Sequence, residues 1–141
     1  MTTLKTLTAA LLITLSFSAF AADGSKAEKL EMKYALRTYI DAITQGKIGG
    51  LTDVLDQDIR FTTTRGQKII NHSKSQVLNE LKISENVKQN CVTEFSIVES
   101  TPNLSVVKVT FKYANFSKVE YLNLANTTKG WKITSVSTSF I

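Results

Sequence analysis

From Gln89 onward the spacing of apolar residues changes from a helical period to a strict alternation. Cys91, Thr93, Phe95 and Ile97 alternate with Val92, Glu94, Ser96 and Val98, and Val107, Val109, Phe111 and Tyr113 alternate with Lys108, Thr110 and Lys112. Two further stretches, 116–125 and 130–140, are rich in β-branched and aromatic residues that suit a pleated surface. A period of two sends successive side chains to opposite faces of a strand. The connections, Thr101-Pro102-Asn103, Ala114-Asn115 and Asn126 to Gly130, are short and made of turn formers. Strands joined so closely pair antiparallel, because parallel neighbours need a crossover of a dozen residues or more. The spacing therefore predicts a four-stranded antiparallel meander at the C-terminal end.

Upstream the pattern is mixed. Residues 25–44 read as a helix whose apolar stripe is Met32, Leu36, Tyr39, Ile40 and Ile43, with Ser25 and Glu28 as a capping box and Gln45-Gly46 as its end. A short second helix is expected near 48–55, carrying Leu51, Val54 and Leu55. Residues 59–64 and 67–70 read as a hairpin turned at Arg65-Gly66. Ser73-Lys74-Ser75-Gln76 is a capping box opening a third helix with Val77, Leu78 and Leu81 on its apolar side. The order implies an α+β domain, with three N-terminal helices packed on one face of a curved, mostly antiparallel sheet. The whole chain, 141 residues, is the size of one domain. A domain of this size needs neither disulfide nor metal to fold.

The first twenty-one residues read as an address. Lys5 precedes an apolar run over residues 7–20, which ends in Ala19-Phe20-Ala21, the small-x-small pattern of a signal peptidase site. The run is shorter than the ~20 apolar residues of a membrane span. The expectation is a cleavable signal peptide, 1–21, and a domain, 22–141, exported to the periplasm or secreted and not held in a membrane. No cysteine lies near the cleavage site, which excludes lipoprotein processing. The net charge of +5 is mild and spread along the chain, so no concentrated basic face is expected for nucleic acid. One cysteine, Cys91, and one histidine, His72, exclude an internal disulfide and a multi-histidine metal centre. No cofactor or metal is expected.

Three motifs in order resemble the nuclear transport factor 2-like superfamily. Tyr39-Ile40-Asp41-Ala42-Ile43-Thr44-Gln45-Gly46-Lys47 looks like its aromatic-led helix end. Leu51-Thr52-Asp53-Val54-Leu55-Asp56-Gln57-Asp58-Ile59-Arg60-Phe61 looks like its short helix, acidic turn and first strand. Lys129-Gly130-Trp131-Lys132-Ile133 is similar to the opening of its last strand. Within the superfamily the chain most resembles exported bacterial proteins described as "putative lumazine-binding" or SnoaL-like. The resemblance implies a cone-shaped fold with a pocket between the first helix and the concave sheet face, and a homodimer formed through the sheet.

Catalytic relatives of the ketosteroid isomerase type use an aspartate base, a tyrosine and a protonated aspartate. Carried onto this chain, Tyr39 takes the place of the tyrosine and Glu120 that of the second acid, while Thr63 stands where the base would be. A threonine hydroxyl does not abstract a proton unaided near neutral pH. The reading is therefore non-catalytic binding of a small planar or apolar ligand in the cone, with Tyr39, Phe61, Phe95, Phe111, Tyr121 and Trp131 as candidate ligand-binding residues. An alternative is an isomerase, dehydratase or cyclase using Tyr39 with His72 or Glu120. A second alternative is a protein-interaction module on the outer sheet face. Cys91 reads as a buried, inert thiol, or alternatively as an exposed one that is reactive or forms an intermolecular disulfide in an oxidising compartment. Lys108 and Lys112, with Lys118 and Lys132 nearby, read as a solvated outer face, or as a stripe for anionic groups.

Overall fold

The structure is a computed structural model and describes residues 26–141. The expected signal peptide and the Ser25 cap lie outside the described residues. A 3-10 turn at Glu28–Leu30 leads into α1, Met32–Gln45. The helix thus starts with its apolar stripe and later than the expected residue 25, because Glu31 is extended between the two segments, and it carries no side-chain cap. The cause is tertiary: a Cβ on Gly130 would stand 3.0 Å from the Leu30 Cα, so this turn is pressed against the start of the last strand.

The face of α1 that meets the sheet is Ala35, Leu36, Tyr39 and Ala42, with Met32, Ile40 and Ile43 half-buried at its flanks. The two alanines let the helix sit close to the sheet, which rotates the buried stripe away from the larger residues. Gly46 ends α1 in the left-handed conformation, φ 65°. The segment after α3 docks there: the Asn86 N–H donates to the Gly46 carbonyl at 3.0 Å, and the Gln89 N–H to the Thr44 carbonyl at 2.6 Å.

The second helix, α2, is only Leu51–Val54, because Leu55 already belongs to β1, Leu55–Arg65. β2 is Lys68–His72, α3 is Lys74–Ile83, and the meander is β3, Val92–Ser100, β4, Leu104–Lys112, β5, Ser117–Thr127, and β6, Gly130–Phe140. The capping box of α3 forms as expected: the Gln76 N–H donates to Ser73 Oγ at 3.3 Å, and the Ser73 N–H donates to Gln76 Oε1 at 2.8 Å. The six strands make one sheet in the order β2-β1-β6-β5-β4-β3. All neighbours are antiparallel except β1 and β6, which run parallel. Among the described residues no helix is long and apolar enough to cross a membrane.

Register assigns each side chain to a face. Val107 stands opposite Leu122 and Leu122 opposite Val136, and Val136 is beside Phe61. This rung lies under the helices and is sealed. The next inner rung is Val109, Glu120, Thr138 and Thr63, and the one beyond is Phe111, Lys118 and Phe140. Lys108, Lys112 and Tyr121 point to the outer face, whereas Lys118 points inward. The four lysines therefore form no single stripe. Lys132 is drawn off to the α2 side, where its ammonium donates to the Asp53 carbonyl. β3 is an edge strand, and Phe95, of inner-face parity, remains 56% exposed.

Candidate functional site

Two levels of the concave face carry chemistry. The inner level is the Tyr39–Glu120 pair. α1 delivers Tyr39 to the sheet, and the Tyr39 hydroxyl donates to Glu120 Oε2 at 2.7 Å. Thr138 Oγ1 donates to Oε1 at 3.3 Å, and Lys118 Nζ lies 3.5 Å from the same oxygen. The Lys118 ammonium also sits 4.6 Å from the centre of the Phe111 ring. Tyr39 is 2% and Glu120 4% exposed, so the carboxylate is buried with its partners in place. Burial first, then the Glu120 charge and the hydrogen bond to it, hold the Tyr39 hydroxyl well above its ordinary value of 10.0. Tyr39 keeps its proton and directs it to Glu120.

The outer level is the rim of the cone. Tyr113 stacks on Phe116 with ring centres 4.7 Å apart, and Phe116 meets Phe140 at 6.2 Å in a tilted arrangement. The Arg65 guanidinium lies 5.2 Å over the Phe140 ring. Between the β1–β2 turn and these rings is an open concavity of about 380 Å³, lined by Thr64, Arg65, Gly66, Phe116 and Phe140. Phe116 is 46% and Phe140 39% exposed. Burial, then the neighbouring Cys91 thiol and the more distant Glu120, raise the Tyr113 hydroxyl above its ordinary value. Cys91 is half-buried just before β3 and unpaired with any other cysteine.

A second open concavity, about 800 Å³, runs between β1 and the start of α3, along Gln57 to Arg60 and Ser73 to Ser75. Two of its polar side chains are committed within the chain: Lys74 Nζ donates to the Thr52 and Leu55 carbonyls, both at 3.1 Å, and Ser73 caps α3. Among the described residues no group of three or more His, Cys, Asp or Glu side chains is placed to hold a metal ion.

The structure brings together Tyr39, Glu120 and Thr63, the three positions that the resemblance singled out, on one inner level. His72 is not among the partners of Glu120. It ends β2, three strands away from β5, which puts the two backbones about 14 Å apart across the sheet. Phe61 and Phe111 belong to the buried core. Tyr121 is corrected to the outer face, because it follows Glu120 directly along a strand. Trp131 packs half-buried at the start of β6, about 30 Å along the strand from Phe140. Arg65, Phe116 and Phe140 were missed. Pairing Lys118 with Phe140 in the meander would have placed Phe140 and Phe116 at the rim, but Arg65 reads only as a turn residue.

Solved structures share this fold. An NTF2-like protein of unknown function from Silicibacter pomeroyi DSS-3 is similar over 77% of this chain and 92% of its own, with TM-score 0.66 and 14% identity. An NTF2-like protein from Cytophaga hutchinsonii ATCC 33406 gives TM-score 0.61 at 16% identity, covering 76% of this chain and 93% of that one. A ketosteroid isomerase-like protein from Erwinia carotovora atroseptica SCRI1043 gives TM-score 0.58 at 16% identity, covering 84% and 98%. At these identities the likeness concerns the fold alone, and the fold is nuclear transport factor 2-like. Among curated proteins, none matches. Residues 27–139 match the family described as "Putative lumazine-binding", and the chain belongs to that family.

Proposed function

We propose that this is an exported binding domain that takes a small planar ligand at the rim of its cone. The observation that carries the reading is the exposed pair Phe116 and Phe140 lining an open concavity, with half-buried Tyr113 stacked on Phe116, above a cone whose deeper levels are closed by packing. Two exposed rings tilted against each other offer a flat ligand the stacking that a filled core no longer can. The family description points the same way, since lumazine is a flat bicyclic ring.

Titration of lumazine, followed by its own fluorescence, tests the reading. Saturable quenching is expected, weakened about tenfold by Phe140→Ala, as loss of one aromatic contact implies. A linear, unsaturable response, together with a native mass spectrum free of any co-purified small molecule, would remove the proposal. Export is part of it, supported by the apolar run before Ala19-Phe20-Ala21. The intact mass of protein recovered from a bacterial periplasm decides whether cleavage follows Ala21. Homodimer formation is also part of it, supported by the exposed apolar side chains of β3, and sedimentation equilibrium tests it.

A second reading, proton transfer by Tyr39 and Glu120, is favoured by their 2.7 Å hydrogen bond. It requires substrate to reach a pair that is now sealed. An isomerase activity lost in both Tyr39→Phe and Glu120→Gln, with rim binding retained, would support it.

A further inference from the structure

We propose that the rim ligand is an aromatic carboxylate, its ring against Phe116 and Phe140 and its carboxylate on Arg65. This rests on the rim-binding reading above and adds the charge that the site selects. The rim is built from segments almost free of acids. No Asp or Glu occurs between Asp58 and Glu80, a stretch that supplies Arg65 and, directly across the hairpin, Lys68. None occurs from Tyr113 to Val119, nor after Glu120 to the last residue. Glu120 is the one carboxylate side chain that borders these segments on the inner face, and its oxygens are taken by Tyr39, Thr138 and Lys118.

Arg65 differs. Among the described residues its guanidinium has no carboxylate within ion-pair reach and no side-chain hydrogen bond, and it lies over the Phe140 ring. A guanidinium laid on an aromatic face is already oriented, so less rotamer freedom is lost when its planar fork meets a carboxylate. Two parallel N–H donors match the two oxygens of a carboxylate. Lys68, opposite Arg65 in the hairpin, adds a like charge that an incoming anion relieves. Lys118 is less available, because its ammonium is already shared between Glu120 and the Phe111 ring. The site therefore offers one free fork beside exposed rings, which fits a flat ring bearing a single carboxylate.

The test compares naphthoate with naphthamide, two probes with the same ring and different charge, titrated into the full chain at low and at high salt. Naphthoate is expected to bind about tenfold more tightly than naphthamide, as one charge-assisted bidentate contact implies, with the difference narrowing at high salt. Arg65→Gln is expected to bring the ratio to about one, and Arg65→Lys to leave it in between. Arg60→Gln, on the outer face of β1, keeps the full preference and controls for net charge. Equal binding of the two probes by the unaltered chain would overturn the carboxylate assignment and leave rim binding standing. Binding of neither would overturn both. A preference that survives Arg65→Gln would overturn the role of Arg65.

Discussion

The Tyr39 hydroxyl and the Glu120 carboxylate, 81 residues apart in the chain, meet at 2.7 Å between α1 and β5. This contact joins the helical layer to the sheet through a polar bond inside a mostly apolar core. An unpaired buried carboxylate would be costly, but here each oxygen has a donor or cation beside it. The bond also explains why the deeper cone is closed: Tyr39 points its hydroxyl at the sheet and not into open space.

Glu120→Ala should destabilise the fold by about 3 kcal/mol, because it orphans a buried hydroxyl and leaves Lys118 without its carboxylate. Glu120→Gln keeps an acceptor for Tyr39 and should cost about 1 kcal/mol. Urea midpoints followed by circular dichroism separate the two. Equal losses would mean that the hydrogen bond to Tyr39 contributes nothing beyond packing.

Alkaline stability follows from Tyr39. Its proton is held more tightly in the folded state, mainly by burial. Above pH 10 the unfolded chain gives up this proton while the folded one retains it, so unfolding stability falls as pH rises. The contribution is fully present below the unfolded value. Tyr39→Phe should flatten the decline between pH 10 and pH 11 relative to the unaltered chain, with Tyr113 supplying part of the slope that remains. Denaturation curves across that interval check it; an identical slope in the variant would refute it.

Gly46→Ala should cost about 2–4 kcal/mol. A Cβ there would stand 2.5 Å from the Asn86 nitrogen and 2.6 Å from the Ser84 carbonyl oxygen, and the backbone is at φ 65°. Neither obstacle can be relieved by a side chain moving, since both neighbours are backbone. Hydrogen exchange should show faster opening of the 84–89 segment that docks on the end of α1.

Ser73→Ala removes one half of the capping box and should cost about 1 kcal/mol. The site is exposed and outside the core, so the loss should be local. Amide exchange at Gln76 should quicken while β5 and β6 stay protected; a global loss of protection would contradict this reading.

Local rules carried much of this structure. Alternation from Gln89 onward made the meander legible, and the turn formers between its strands made it antiparallel. The Ser73 box and the Gly46 stop were legible too, because each is satisfied by neighbours within a few residues. The start of α1 was not, since the 3-10 turn before it is held by contact with Gly130, a hundred residues away. Parity along the strands was also present in the sequence: Tyr121, next to Glu120, belongs outside by counting alone.

Depth was not in the sequence. Phe111 and Phe140 are both aromatic and both point to the inner face, yet one is sealed and the other lines an open rim. Alternation says which way a side chain points, but only the lie of α1 over the sheet says whether a helix covers it. The same holds for Arg65, a turn residue by its neighbours and a guanidinium over Phe140 by its fold. Which faces were possible came from the period of the chain. Which of them was closed by packing, and which stayed open to a ligand, was decided by contacts between residues far apart in sequence.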